Sequence, residues 1–519
     1  MQLKSYITHK NIFVFGLILL VLGMPVSHFL TSISQLILLG NWLVERNFIS
    51  KWNTLKKSKA FWSFVGIYLL YVIGLLWTSD YEYGLHDLKI KLPMLWLPVL
   101  FFTSPSLTKK DYHLIMHFFV LACIAGSACS MAVYFGFLHK QIHDVREISI
   151  FESHIRFSLM IVLSICYLFF CLLNPPLIKQ KIIYALIGVW LLFFLIFLQS
   201  FTGLVILGVL TFLGVIIFLF SKQSPAIKIS FLILFLGGLL YTSYIVRDEY
   251  KRLHTINSID LRTLPKYSTN GCLYLNDTIY KFTENGNYVY ILICDAELKK
   301  EWNKKSKLNF DGFDSRKNSV RYTLVRYLAS KNLTRDSLGF SQLTDEDITL
   351  IENGYANYSY TNPADIRTRV HEILWEIDGS MRMHETNGHS VTMRLEFWNA
   401  SIWIIRQHLW FGVGTGDVKD AFITEYQDEN TSLQKEWQLR SHNQYLATTV
   451  ALGLTGLFVF ILFLIAPFLS NKKMSVFFIF FILIELISFI NEDTLETQAG
   501  VTFCVFFAQL FFHNDEYNT

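Results

Sequence analysis

The chain has 519 residues, of which 52% are hydrophobic, 16% aromatic and only 17% charged. Soluble domains contain about 45–50% apolar and about 25% charged residues, so this composition excludes a soluble protein and indicates many membrane spans with one polar segment. The formal net charge of +4 is small for this length, without the concentrated basic excess of a nucleic-acid-binding protein, so no nucleic-acid partner is predicted.

Apolar runs long enough to cross a bilayer occur in both halves of the chain, because a transmembrane helix takes about 20 apolar residues. Twelve runs are predicted as spans: 11–28, 31–45, 60–77, 91–103, 112–137, 154–173, 182–199, 203–220, 229–246, 445–468, 474–490 and 497–512. The fourth is short and contains Pro93 and Pro98, so an interfacial or re-entrant piece is an alternative. We predict an all-α polytopic membrane protein with about twelve transmembrane helices.

Lysines and arginines are distributed unequally between the alternate short loops of this arrangement. Fifteen lie in one set of loops and four in the opposite set. Positively charged loops stay in the cytoplasm. Both termini are therefore predicted in the cytoplasm and residues 247–444 outside it.

Four regions follow from this topology. They are 1–246 with spans 1–9, an extracytoplasmic globular insertion at 247–389, an extracytoplasmic loop with an amphipathic helix at 390–444, and 445–519 with spans 10–12. The insertion is predicted to be mainly α with one β-hairpin, in which strands 280–283 and 288–293 flank an Asn-Gly turn. Helices are predicted near 295–304, 318–332, 345–357 and 366–377, and the amphipathic helix near 390–408. The apolar stripe of this last helix is predicted to lie either on the membrane surface or against the bundle, and it comprises Leu395, Trp398, Ile402, Ile405 and Leu409.

The cysteines and acidic residues give no pattern of a metal or cofactor site, and none is predicted. Of the seven cysteines, only Cys272 and Cys294 lie in the polar segment, where they form a disulfide if it faces an oxidising compartment and are otherwise merely packed. Asp345 and Asp347 have the acid-x-acid spacing of metal-dependent glycosyltransferases. They directly follow Thr344, however, and this favours helix capping.

The glycine-rich run at 412–416 resembles a phosphate loop only in its glycines. It follows a predicted helix rather than a strand and lacks the Lys-Ser/Thr ending, so nucleotide binding is not predicted. Two interpretations stay open, a flexible helix exit and a set of backbone N–H groups that helps to hold an anion.

Four motifs occur in order near the end of the chain: Met393–Trp398, Trp410–Gly416, Arg440–Leu446 and the pair Gly453 and Gly456. At the outer face of a many-spanning protein, this ordered set resembles the O-antigen ligase and O-antigen polymerase superfamily. The resemblance implies a metal-independent membrane glycosyltransferase with an undecaprenyl-diphosphate-linked glycan as donor. It also implies the bacterial inner membrane, with the large loop in the periplasm. One departure is Phe201, where the family commonly has an arginine.

Three arginines are candidates for binding the donor diphosphate: Arg394 and Arg440 within the motifs, and Arg156 at the start of the sixth span. Glycan transfer builds negative charge on the leaving phosphate, and fixed cations stabilise that charge. The planar guanidinium suits this because it binds phosphate oxygens bidentately. The alternative for each is an interfacial arginine that meets lipid phosphate.

His442 is the candidate catalytic base. The acceptor hydroxyl attacks poorly unless a base takes its proton, and an imidazole with a pKa near 6.5 suits this at neutral pH. Asn443 is predicted to orient the substrate or the ring, and Gly412, Gly414 and Gly416 to support the site. Further candidates are His389, His154 and the intramembrane Glu485, for which a hydrogen bond inside the bundle is the simpler interpretation.

The acceptor is not encoded in any visible motif, so several functions stay open. A ligase transfers the glycan to a lipid A core, a polymerase joins repeat units on the carrier lipid, and a variant modifies protein hydroxyls. The predicted partners are the lipid-linked donor, one of these acceptors and membrane lipids. A transporter is a distant alternative, because no internal repeat is visible.

The topology is testable with single cysteines at Lys57 and Lys307. Because the two positions are predicted on opposite sides of the membrane, a membrane-impermeant thiol reagent added to intact cells with a permeable outer membrane is expected to label Lys307→Cys and not Lys57→Cys. Labelling of both, or of neither before lysis, contradicts the predicted span count.

Overall fold

The computed structural model describes residues 8–513, except 139, 141, 143, 174–176, 221–223, 258, 362–364, 384–389, 429–430, 432 and 470–475. Over these residues the chain is predominantly helical, which confirms the predicted class. It divides into two compact units. The first contains 1–138, 148–214 and 384–519, and the second contains 139–147 and 215–383.

Each predicted span coincides with a helix. The helices are α1 His9–Gly23, α2 His28–Glu45, α3 Phe48–Lys57, α4 Lys59–Gly74, α5 Tyr81–Lys91, α6 Pro93–Thr103, α7 Lys109–Tyr134, α8 His154–Leu173, α9 Ile178–Phe197, α10 Phe201–Leu219 and α11 Pro225–His254. After the polar segment come α19 Gln444–Leu469, α20 Val476–Asn491 and α21 Gln498–Phe512. Helices α3 and α5 were not predicted.

Seven of these helices are long and apolar enough to cross a membrane: α4, α7, α8, α9, α10, α11 and α19. Three more, α1, α20 and α21, are apolar but shorter. The fourth predicted span contains only α6, whose 11 residues rise about 16 Å and are too short to cross alone. This favours the interfacial or re-entrant alternative, and the count of twelve stays a prediction.

The core of the first unit is aromatic and centres on α21. Its residues from Gly500 to Phe512 are all buried, and Phe507 lies 4.7 Å from Phe119 of α7 between ring centroids. Phe481 of α20 contacts Phe503 and Phe511 as well. These ring contacts hold α20 and α21 against each other and α21 against α7.

Helix α19 is broken at Gly453, which has φ +66°. The segment that follows α17 (Ser390–Gln407) lies against the break. The Val413 and Gly414 N–H groups donate to the Val450 and Ala451 carbonyls, both at 2.9 Å, and the Leu454 N–H donates to the Leu409 carbonyl at 2.8 Å. The backbone groups released by the break are therefore paired within the protein, as a membrane-embedded bundle requires.

Helix α17, Ser390–Gln407, matches the predicted amphipathic helix, but the predicted apolar stripe does not face the bundle. Leu395 and Ile402 of that stripe are exposed, whereas Phe397 and Ile404 are buried. The helix packs against α18, Val418–Asp428, and α19 through the face that carries Phe397. The exposed stripe fits the membrane-surface alternative.

The second unit has its own hydrophobic core around Trp302, Leu324 and Phe340. Besides α11, its helices are α12 Asp295–Lys305, α13 Val320–Ser330, α14 Ser337–Ser341, α15 Asp345–Glu352 and α16 Ile366–Met383. All but the short α14 were predicted. The Thr344 hydroxyl accepts from the Asp347 N–H, and the Asp347 carboxylate accepts from the Thr344 N–H and from Lys331, so this acid is engaged in helix capping and an ion pair.

The predicted hairpin is present but shorter than expected. Strands β1 Thr283–Glu284 and β2 Asn287–Tyr288 flank the turn, where Asn285 and Gly286 both have positive φ, as in a type I′ turn. The longer predicted strands are wrong because the chain leaves its partner after Val289, whose N–H still donates to the Phe282 carbonyl at 2.9 Å. The Tyr290 carbonyl then accepts from the Asp277 N–H, and Ile293 forms isolated bridges to Leu275 and Arg335. Cys272 and Cys294 form a disulfide, which rules out the alternative that the two cysteines are merely packed.

We expect Gly453→Ala to destabilise the first unit. With φ +66° and ψ −164°, Gly453 lies in a region essentially confined to glycine, which costs a residue with a Cβ roughly 1–3 kcal/mol, and the added methyl group would also collide with the Trp410 backbone. The measurement is the thermal midpoint of the purified protein. Gly208→Ala in α10 is the control, because no atom lies within 4 Å of its Cβ position. Equal midpoints for both variants would contradict the role of the break.

Candidate functional site

The six residues Asn491–Glu496, which join α20 to α21, contain three carboxylates, and we call them the acidic corner. Four predicted site side chains converge on it. The contacts are Arg156 Nη2 to Glu492 at 3.4 Å, Arg394 Nε to the Asn491 carbonyl at 3.2 Å, Arg440 Nη1 to Glu496 at 3.0 Å and His442 Nδ1 to Asp493 at 3.3 Å. The sequence placed this corner in an outer loop but did not predict its role.

His442 is held in an unusual backbone conformation. Its φ is +43°, in the left-handed region that residues other than glycine rarely adopt. The ring lies beside Asp493 and 5.7 Å from the Phe397 ring, and its side chain stays about one-third exposed. Strained residues of this kind cluster at functional sites. The strain and the carboxylate partner together single out this imidazole.

The two adjacent carboxyls of the acidic corner differ in their environments. Burial raises the pKa of Glu492, and the neighbouring Asp493 charge adds to this against the opposing Arg156 charge. Burial also raises the pKa of Asp493, but its interaction with His442 and the Arg440 charge outweigh burial and leave the pKa below its usual value. Asp493 is therefore the carboxylate that stays charged beside the imidazole.

Arg156 lies in the first turn of α8, between two acids. It is 3.6 Å from Glu152 and 3.4 Å from Glu492, and its side chain is largely buried. Its Nε atom is buried without a hydrogen-bond partner in the part of the chain that the structure describes. One donor of this guanidinium is thus left for another group.

Arg394 reaches the same corner from α17. Asn491, whose carbonyl it contacts, also donates through its side chain to the Thr202 hydroxyl at 2.6 Å, so the first turn of α10 joins the site. Phe201, the first residue of α10, is about half exposed and supplies no charge. Arg156 and Arg394 supply the positive charge next to Asn491 and Glu492.

Arg440 belongs to a buried ion-pair network. Glu496 Oε2 accepts from Arg440 at 3.0 Å and from Lys91 at 2.8 Å, and Lys91 also donates to Asp87 at 2.6 Å. The Tyr83 hydroxyl accepts from Arg440 at 3.2 Å. Burial lowers the pKa of Arg440, but the nearby Glu496 charge outweighs this and the pKa is raised. Asp87 and Lys91 were not predicted here, although their i,i+4 spacing is a usable signal.

Asn443 and the glycines have structural contacts. The Asn443 side chain accepts from the Leu446 N–H, which caps α19, and donates to the Ile490 carbonyl. The N–H groups of the glycine-rich run donate within the protein: Gly412 to the His408 carbonyl, Gly414 to Ala451 and Gly416 to the Thr78 hydroxyl. Because these amides are engaged, the structure favours the helix-exit interpretation over an anion cradle.

Three further candidates came from the sequence. His389 lies outside the described residues, and His154 is the first residue of α8. Glu485 is fully buried in α20, about two turns before the acidic corner.

His442, Glu492 and Asp493 are the described residues of the first unit with ligand atoms close enough to hold a metal ion together, within 4.8 Å of one another. An imidazole with two carboxylates is a plausible donor set for a divalent cation. Glu492, however, pairs with Arg156, and Asp493 with His442. A metal would have to displace both interactions.

Residues 356–461 match the family model described as O-Antigen ligase. The matched segment contains Arg394, the glycine-rich run, Arg440, His442 and the break in α19. The match confirms the resemblance and supports membership of the O-antigen ligase superfamily. No curated protein matches the chain. Arg156, Lys91 and the acidic corner lie outside the matched segment.

We expect Glu496→Gln to lower the thermal midpoint of the protein clearly. Lys91 is fully buried, and loss of one of its two carboxylate partners leaves buried positive charge uncompensated, which typically costs about 3–5 kcal/mol. Glu436→Gln, at an exposed position, is the control for removal of a carboxylate. A midpoint equal to that of the control would show that the network does not stabilise the fold.

Proposed function

From the O-antigen ligase match over residues 356–461, we propose that this protein is an O-antigen ligase-like membrane glycosyltransferase. It transfers a glycan from undecaprenyl diphosphate to an acceptor hydroxyl, that of a lipid A core, at the outer face of the bacterial inner membrane. The observation that carries the proposal is the convergence of three arginines and a strained histidine on the acidic corner.

In this proposal His442 is the base. Its Nδ1 atom faces Asp493, which leaves Nε2 to accept the proton of the acceptor hydroxyl. A carboxylate in this position orients the ring and stabilises the imidazolium that forms. Asp493 is thus a positioning residue, acting through His442.

Arg156, Arg394 and Arg440 hold the donor diphosphate and stabilise the charge that develops on it as the sugar–oxygen bond breaks. Each guanidinium has five N–H donors, so a contact with the acidic corner leaves others for phosphate oxygens. The carboxylates balance the arginines while no donor is bound. The unpartnered Nε atom of Arg156 fits this role.

The proposal includes the topology predicted from the sequence: twelve spans, cytoplasmic termini, the 247–389 insertion and the 390–444 loop in the periplasm. The disulfide between Cys272 and Cys294 supports it, because disulfides persist in oxidising compartments. Under this topology the acidic corner and His442 lie at the outer membrane boundary, where a lipid-linked donor presents its headgroup.

A polymerase, or a ligase that modifies protein hydroxyls, uses the same donor chemistry and differs in its acceptor. The surface glycan of a deletion strain distinguishes them. Loss of core-attached glycan with polymer accumulating on the carrier lipid indicates a ligase, attachment of single repeat units indicates a polymerase, and loss of glycan from proteins alone indicates the third.

We expect His442→Ala to reduce the transfer rate about 10²–10⁴-fold, the usual contribution of a general base, while the protein stays folded and binds donor. Transfer is measured with purified enzyme, lipid-linked glycan and lipid A core. His408→Ala, at an exposed position, is the control. A rate within a few-fold of the unaltered enzyme would place the base elsewhere, with His389 and His154 as the next candidates.

We expect activity to survive thorough chelation, because arginines supply the positive charge that a metal would otherwise provide. The purified enzyme is dialysed against EDTA and assayed with and without added magnesium or manganese. A strict requirement for either ion would contradict this prediction and direct attention to His442, Glu492 and Asp493 as its ligands.

A further inference from the structure

Helix α3, Phe48–Lys57, lies directly before a membrane span and was not predicted from the sequence. Only Ser58 separates it from α4, which is long and apolar enough to cross a membrane. The 10 residues of α3 rise about 15 Å, so this helix does not cross the bilayer itself. It lies at a membrane boundary, and the distribution of lysines and arginines predicts that boundary on the cytoplasmic side.

The corner between α2 and α3 is fixed by Lys51, whose side chain is buried. Its ammonium donates to the Trp42 carbonyl at 3.0 Å, lies 2.8 Å from the Glu45 carboxylate and is 4.6 Å from the centre of the Trp42 ring. The two residues between the helices, Arg46 and Asn47, both have positive φ, so the chain turns sharply there. Helix α3 is therefore held in one orientation relative to the end of α2.

The apolar side chains of α3 are only partly covered by the protein. Leu55 is buried against the first turns of α4 and against α6. Phe48 and Trp52 are about half exposed and Ile49 is about four-fifths exposed, and the Trp52 ring forms an edge-to-face pair with Trp62 at 6.3 Å between centroids. Tryptophan and aliphatic side chains exposed at a membrane boundary insert at the level of the lipid headgroups.

The exposed charge around α3 is positive. The exposed cations are Arg46, Lys56, Lys57 and Lys59. The sequence contains no aspartate or glutamate from position 46 to position 79, and none in α6, which packs against α3. No carboxylate of α3, α4 or α6 therefore balances these four charges.

We propose that this surface binds the headgroups of anionic phospholipids. Lys56 follows Trp52 by four positions, so the two side chains lie next to each other on the helix. A lysine stem can then run along the exposed apolar side chains while its ammonium stays at the depth of the lipid phosphates. Basic residues on an amphipathic helix beside a membrane span are typical of anionic-lipid recognition. An acidic protein would match the charge but would leave Ile49 and Trp52 without an apolar partner.

The test uses the full-length protein with a fluorescent thiol label on Asn53→Cys, an exposed position of α3. The protein is reconstituted into phosphatidylcholine vesicles that contain a small fraction of quencher lipid, either phosphatidylglycerol or phosphatidylcholine with a nitroxide near the top of one acyl chain. The signal of the protein without Asn53→Cys, treated with the same label, is subtracted to correct for the native cysteines. The ratio of quenching by the two lipids measures the local enrichment of phosphatidylglycerol.

We expect phosphatidylglycerol to quench the label severalfold more strongly than phosphatidylcholine does. A lysine near an anionic membrane surface contributes about fivefold in affinity, so Lys56→Gln/Lys57→Gln is expected to bring the ratio close to one. High salt is expected to lower the ratio of the unaltered surface in the same way, because it screens the charges. The thermal midpoint checks that each variant is folded.

The matched control is Lys179→Gln/Lys181→Gln at the start of α9, which removes the same number of charges on the same predicted side of the membrane. It is expected to leave the ratio unchanged. Equal quenching by the two lipids, a ratio that survives Lys56→Gln/Lys57→Gln, or an equal fall in the control would overturn the proposal. Quenching by neither lipid would also overturn it and would leave the lysines to an acidic protein partner. None of these outcomes depends on the proposed glycosyl transfer.

Discussion

Balance of charge around the acidic corner is the constraint on which the candidate site depends. A fully buried lysine and three arginines lie close together, and isolated cations in such surroundings are too costly to retain. The acidic corner supplies carboxylates for Arg156, Arg440, Lys91 and His442 within six residues. Cations fixed by such pairs are already ordered before a charged substrate arrives, which is a requirement of electrostatic preorganisation.

A second constraint is the pairing of backbone groups around the break in α19. Gly453 allows the helix to open, and the chain leaving α17 supplies hydrogen bonds to the exposed groups. An added Cβ at Gly412 would meet the Ala451 backbone, and one at Gly453 would meet the Trp410 backbone. These glycines therefore allow the two segments of the chain to approach closely. Asp417 secures the same exit, because its carboxylate accepts from the Ser79 and Asp80 N–H groups. The exit, the start of α5 and α19 are thereby fixed to one another.

The part of the second unit that follows α11 is stabilised in the manner of a soluble domain. Trp302 and Phe340 fill a core of aliphatic side chains, and the buried Arg326 pairs with Glu284 while it lies over the Trp375 ring. The disulfide joins the loop at Cys272 to the N-cap of α12. The core of this unit is formed by its own residues, without the ion pairs of the first unit. None of the contacts described above connects this unit with the proposed reaction.

The sequence by itself determined the helical membrane class, the positions of the apolar helices, most helices of the insertion, and His442, Arg394, Arg440 and Arg156 as site candidates. Apolar run length and ordered local motifs are encoded in neighbouring residues, which is why they can be read there. Tertiary structure decided what these residues contact. The acidic corner, Lys91 and Asp87 lie about 50 to 350 positions from Arg440 in the chain, and local patterns contain no information on such pairings. The outward orientation of the α17 stripe and the use of the glycine N–H groups were decided in the same way, because both depend on which segment packs against the helix.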